Sequence, residues 1–193
     1  MARNPDNNVD SLYNLIPDNP PFTPVLTAPP SAWALAIEYD PADTEYNGPH
    51  ELAVDAAGNV WTANSQGSSV SLLEAATDYI SGSVLGPADA VFSAPTSIAI
   101  DLDGNVWASN YTGNSISELT ASSNYSTGVN FAPAAAAFNG PLAMALDAGG
   151  NVFAGNYNSA SVSELTASSN YATGLNFGCG AGEPRGDHRP RTE

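Results

Sequence analysis

The sequence predicts an all-β fold, a partial β-propeller of three four-stranded antiparallel blades. Three observations carry that prediction. Between residue 48 and residue 177 one pattern returns at a fixed interval of 46 residues without a gap, and a period in the mid-forties marks an array of identical supersecondary units. Within each unit apolar residues alternate with a period of two, the spacing of strands rather than helices. Four such runs fit in each interval, the content of one propeller blade.

The elements follow in order within a unit. Leu52-Ala53-Val54-Asp55 returns as Ile98-Ala99-Ile100-Asp101 and as Met144-Ala145-Leu146-Asp147, each preceded by a proline at 49, 95 or 141. This is the first, innermost strand. A short turn follows, in which Gly58, Gly104 and Gly150 supply the positive φ that other residues resist. The second strand starts at Val60-Trp61, Val106-Trp107 and Val152-Phe153. A polar loop, Ser65 to Ser68, leads to a third strand around Ser69–Leu73, and a fourth is expected near Tyr79–Leu85, Tyr125–Phe131 and Tyr171–Phe177. Trp61, Trp107 and Phe153 recur at one position and are expected to pack between blades.

The blades are therefore assigned to residues 48–93, 94–139 and 140–177. Residues 1–47 carry no unit; residues 17–30 read as a proline-rich linker, and alternation of Trp33, Leu35, Ile37 and Tyr39 predicts one strand over Ser31–Tyr39. Residues 178–193 break the composition, holding three of the four arginines and the only cysteine, Cys179. A disordered or out-of-frame tail is expected there. Three blades are too few to close a ring, since propellers have four to eight. The chain is thus expected to be a fragment, completed by the remaining blades of a longer protein, and to self-associate or fold poorly when isolated.

Bulk chemistry narrows the function classes. The chain has 20 acidic residues, four arginines, no lysine and a formal net charge of −16. Nucleic acid is excluded as a partner, because its phosphates need basic residues to neutralise them. A single cysteine permits no intrachain disulfide and no CxxC metal motif. No apolar run reaches the roughly 18–20 residues of a membrane-spanning helix.

Three sets of residues are candidates for chemistry. Asp101-Leu102-Asp103-Gly104-Asn105 places carboxylates at alternate positions, as in the first half of a calcium loop. The equivalent turns lack the second acid, and a turn held by Asp and Asn side chains explains the pattern as well. The recurring Asp55/Asp101/Asp147 and Asn64/Asn110/Asn156 can be drawn as a ligand ring around a channel, or as residues each blade needs for its own geometry. The only local departure from the repeat with reactive chemistry is His50-Glu51, which stands where the other units have Thr96-Ser97 and Leu142-Ala143. Histidine beside a carboxylate can serve as a base or a metal ligand.

The pattern Pro-x-x-[Ile/Leu]-Ala-[Ile/Val]-Asp-x-x-Gly-Asn-Val-[Trp/Phe], followed by Asn114-Ser115-Ile116-Ser117-Glu118-Leu119 and its copies, resembles the NHL repeat. Such repeats are typical of six-bladed propellers. The closest resemblance is to the bacterial branch that includes streptogramin (virginiamycin B) lyases. It covers residues 48–177 and implies a binding or structural module of an exported, extracellular or cell-surface bacterial protein, without a cofactor and with a protein or carbohydrate ligand. The alternative it implies is a lyase- or lactonase-like enzyme that uses a catalytic histidine and a divalent cation, Mg²⁺ or Ca²⁺. His50 and Glu51 would then lie near the active site, with Asp101 and Asp103 as metal candidates.

Overall fold

A computed structural model describes residue 41 and residues 43–178, all within one compact unit. The expected linker 17–30, the strand over 31–39 and the tail from 179 onward lie outside the described residues.

Among the described residues twelve strands form three antiparallel meanders. The first blade is β1 (Pro49–Val54), β2 (Val60–Asn64), β3 (Ser69–Leu73) and β4 (Gly82–Leu85). The second is β5 (Pro95–Ile100), β6 (Val106–Asn110), β7 (Ser115–Leu119) and β8 (Gly128–Phe131). The third is β9 (Pro141–Leu146), β10 (Val152–Asn156), β11 (Ser161–Leu165) and β12 (Gly174–Gly178). In each sheet the strands pair in sequence order, and β1 packs against β5 and β5 against β9. The first strands of the blades thus lie side by side, and the meanders run outward from them.

The predicted turn glycines adopt φ of 87°, 84° and 81° at Gly58, Gly104 and Gly150. The fourth strand is shorter than expected. It begins at Gly82, Gly128 and Gly174, because Tyr79, Tyr125 and Tyr171 have left-handed φ of 62°, 60° and 60°, a conformation that cannot belong to a strand. Each tyrosine follows a short 3₁₀ turn (Ala75–Thr77, Ala121–Ser123, Ala167–Ser169) that the sequence did not reveal. Gly178 closes β12 rather than opening the tail.

The repeating geometry also begins ahead of residue 48. Thr44 N, Ala90 N and Ala136 N donate to the carbonyls of Pro41, Pro87 and Pro133 at 3.1, 3.0 and 3.0 Å. Thr44, Ala90 and Ala136 are fully buried. Their carbonyls accept hydrogen bonds from the hydroxyls of Ser71, Ser117 and Ser163. The segment before each blade is therefore laid on that blade's sheet.

The hydrophobic core lies between blades. One cluster joins Trp61, Ala63 and Val70 of the first blade to Ala90, Ile98, Val106, Ala108 and Leu119 of the second. The other joins Trp107 and Ile116 of the second to Ala136, Val152, Ala154 and Leu165 of the third. Trp61 and Trp107 each meet the tyrosine of the next blade edge-on, Trp61 to Tyr125 at 4.5 Å and Trp107 to Tyr171 at 4.8 Å between centroids. That arrangement suits the quadrupoles of the rings. The tryptophans are thus inter-blade residues, as the repeat implied.

Among the described residues the outer blades are more exposed at two positions than the middle one. Trp107 is 1% exposed, whereas its counterpart Phe153 is only half-buried. Leu52 is 63% exposed, whereas its counterpart Ile98 is 5% exposed. Trp107→Ala is expected to cost about 3–5 kcal/mol by leaving a cavity, and Phe153→Ala less, because its ring is only half-buried. Paired denaturant titrations check this difference.

Glu118 faces the same side as Trp107, its cross-strand partner, and lies half-buried in the second interface. Burial, and then the charge of Asp101, push its carboxyl above the ordinary glutamate value. A carboxyl that holds its proton more tightly when folded contributes stability below its unfolded value, and loses that contribution as pH rises through the folded one. Glu118→Gln is therefore expected to raise the melting temperature at pH 7 more than at pH 4, in melts followed by circular dichroism.

Candidate functional site

The hairpin carboxylates are saturated by their own turns. Asp101 Oδ1 accepts from the backbone N–H groups of Asp103 and Asn105 at 2.9 and 2.8 Å. Its Oδ2 accepts from Asn105 Nδ2 at 2.9 Å and Trp107 Nε1 at 3.0 Å. Asp55 makes the same four bonds with Ala57, Asn59 and Trp61 at 2.8–3.0 Å. Asp147 makes three, because Phe153 has no N–H to offer. Burial pushes the Asp55 carboxyl up, but the bonds from Trp61, Asn59 and Ala57 outweigh it and hold the group below the usual aspartate range. Asp147 is also lowered, chiefly by its bond from the Asn151 side chain.

This arrangement leaves little for a cation. Both oxygens of Asp101 already face two N–H donors, and a metal ligand would have to give those up. Among the described residues no group of three or more His, Cys, Asp or Glu side chains converges to hold a metal ion. Asp101 and Asp103 do not fit the divalent cation that the family resemblance implies.

The asparagine ring resolves in the same way. Asn64, Asn110 and Asn156 are buried, and each amide nitrogen donates to the serine two positions into its blade's third strand, at 2.7, 2.8 and 2.7 Å. Asn110 Oδ1 and Asn156 Oδ1 accept from Ser93 N and Asn139 N at 3.1 and 3.0 Å. These amides pin the second strand to the third and to the incoming connection. The Ser-x-Ser pattern of the third strands was visible in every repeat, and it is the signal that could have found their partners.

His50 and Glu51 sit at a β-bulge, where the pairing of β1 with β2 shifts between Pro49 and Glu51. A bulge re-aims the side chain it displaces, and both side chains reach the first strand of the next blade. The ring of His50 places Nδ1 2.8 Å from the Thr96 carbonyl, and Glu51 Oε2 accepts from Ile98 N at 2.9 Å. The next interface repeats the device with other residues. Thr96 Oγ1 donates to the Pro141 carbonyl at 3.1 Å, and Ser97 Oγ accepts from Met144 N at 3.1 Å. First strands are sheet edges, with backbone groups that lack ladder partners, and these side chains supply partners to four of those groups.

The arrangement has one chemical potential beyond structure. Because a carbonyl only accepts, Nδ1 of His50 carries the hydrogen in this bond, and Nε2 is the ring nitrogen that the bond leaves out. Glu51 is occupied by Ile98 N rather than by the imidazole. The structure brings His50 and Glu51 together on one rim, with Thr96 and Ser97 as polar neighbours. Asp101 and Asp103 belong to the separate hairpin turn, beyond the other end of β5.

No family model matches the sequence, and no curated protein matches it. Solved structures do. A streptogramin B lyase superposes with a TM-score of 0.54 at 17% identity, over 66% of this chain and 39% of that one. A catalytically inactive virginiamycin B lyase from Staphylococcus aureus with quinupristin gives 0.55 at 15% identity, over 71% and 43%. An auxiliary nutrient binding protein from Bacteroides ovatus gives 0.50 at 10% identity, over 70% and 30%. The chain spans less than half the length of these proteins. At such identities the likeness shows the fold alone: three repeated blades of the propeller type, similar to those of virginiamycin B lyase.

Proposed function

We propose that the chain is a non-catalytic binding or structural module, part of an exported bacterial propeller of the NHL type. The observation that supports this most is the use made of its polar groups. The residues that recur in every blade are consumed by bonds within that blade, and the one local departure, His50-Glu51, ties the first blade to the second. A surface rich in Ser, Thr, Asn and Gly with few charges suits the extracellular or cell-surface location we assign to the whole protein, and a protein or carbohydrate ligand.

A second reading is favoured by one feature. His50 is held through Nδ1 alone, which leaves Nε2 outside that bond, and lyases are among the similar folds. That reading makes the chain part of a lyase- or lactonase-like enzyme.

One pair of measurements separates them. The chain is incubated with quinupristin, with and without Mg²⁺, and ring opening is followed by mass spectrometry. Thermal melts of His50→Ala and Glu51→Ala are run alongside. The structural reading predicts no turnover above buffer, and a loss of stability of about 1–2 kcal/mol for each variant, as expected when a bonded partner is removed. Turnover that His50→Ala abolishes without lowering the melting temperature would establish the enzymatic reading instead.

A further inference from the structure

The two interfaces between blades differ on their outer halves. In the first, Leu72 and Leu85 pack against the cluster that holds Trp61, and Tyr125 joins them from the next blade. Their counterparts in the second are Glu118 and Phe131. An aliphatic pair gives way to a carboxylate and a ring.

Register fixes how these two stand. Glu118 pairs with Trp107 on β6 and with Val129 on β8, while Phe131 pairs with Ile116. Cross-strand partners share a face, and so do residues two apart on a strand. Glu118 and Phe131 are therefore diagonal neighbours on the face that meets the third blade. Phe131 stacks on Trp107 with centroids 5.7 Å apart. Tyr171 of the third blade closes on Phe131 and Trp107 at 5.2 and 4.8 Å. At these separations the rings touch one another, so a ligand meets them only at their edge. Glu118, Phe131 and Tyr171 are half-buried there, and Val129 is 44% exposed.

The carboxylate is poorly served in this place. Burial and then the charge of Asp101 raise it, and among the described residues no hydrogen bond offsets them. Nor do the blades contain a cation for it, since residues 43–178 hold no lysine and no arginine. Leucine fills the same position in the first blade. A partly desolvated charge that its own fold leaves unpaired is a candidate for contact with a ligand.

The structure assigns this edge to an arginine side chain of a protein partner, whose guanidinium pairs with Glu118 and lies against the rings of Phe131 and Tyr171. Charge complementarity supports that occupant, because the chain carries a net charge of −16. A guanidinium is planar and weakly hydrated and stacks on aromatic faces, whereas an ammonium is a strongly hydrated point charge. A metal ion fits less well, since among the described residues no group of three or more His, Cys, Asp or Glu converges. The inference goes beyond the binding role proposed above by naming a partner chemistry. It uses none of the His50 rim, so the quinupristin assay and the one below fail separately.

Proton–nitrogen NMR of the full chain tests it, with a blocked peptide, Gly-Ser-Arg-Ser-Gly, as the probe. The expected result is a saturable shift of the Trp107 indole signal, with the Trp61 signal unmoved. The same peptide carrying citrulline, which keeps the shape and lacks the charge, should bind roughly tenfold more weakly or worse. Glu118→Leu should weaken binding of the arginine peptide to the same degree, with a melting temperature no lower than the parent's. Asp89→Asn removes one charge at an exposed position beside Ala90 of the first interface, and should leave the affinity nearly as it is. Equal binding of the two peptides, equal losses in Asp89→Asn and Glu118→Leu, or a Trp107 signal unmoved at millimolar peptide overturns the inference. So does a Glu118 carboxylate already ion-paired in the free chain, read from its carboxyl carbon shift.

Discussion

The structure depends on one carboxylate per repeat. Asp55, Asp101 and Asp147 each close a hairpin, and the aspartate does so by gathering N–H donors from the turn it has just entered. The asparagine it orients then uses its own carbonyl oxygen to accept from Ala75 N, Ala121 N or Ala167 N, at 2.9, 2.9 and 3.0 Å, fixing the start of the 3₁₀ turn. That turn sets the tyrosine, whose hydroxyl donates back to the turn glycine's carbonyl at 3.0–3.2 Å. In the first two blades the carboxylate also holds the indole that receives the next blade's tyrosine. Local turn chemistry is thereby coupled to the packing of one blade on another.

That coupling fades along the array. The tie from each first strand to the next changes from His50-Glu51 to Thr96-Ser97 to Leu142-Ala143, and the indole changes to a phenyl ring at Phe153. The hydrogen-bonding capacity is lost together on the outward face of the third described blade. In a repeat array each unit is stabilised largely by its neighbours. The apolar character of that face follows from sequence changes at particular positions.

Much of this was legible in the sequence, because the repeat compares each residue with two counterparts. The strands, the turn glycines and the inter-blade aromatics could be read from Gly104, Trp107 and their copies. The fourth strands were drawn too long because Tyr125 has β propensity, whereas its left-handed φ is imposed by the 3₁₀ turn before it. The upstream extension was missed because Thr44, Ala90 and Ala136 act through backbone groups and burial, which different side chains satisfy equally well. The site was half legible. His50-Glu51 stood out as a departure, but the bulge that aims both side chains at the neighbouring strand is a feature of register, invisible to a pattern of types. Asp101 and Asp103 looked like cation ligands because alternating acids suit a metal as well as a turn. Only the hydrogen-bond partners separate the two.

The fold therefore turns its conspicuous polar residues to structural use, and the central claim is that the hairpin aspartate holds the inter-blade indole. Proton–nitrogen NMR of the tryptophan side chains tests it most directly. The account predicts that Trp61 and Trp107 give indole N–H signals slow to exchange with solvent at neutral pH, and that Trp61 loses that protection as acid protonates Asp55. Indole protons that exchange as quickly as in a free peptide, or a Trp61 proton that stays protected without regard to pH, would contradict it.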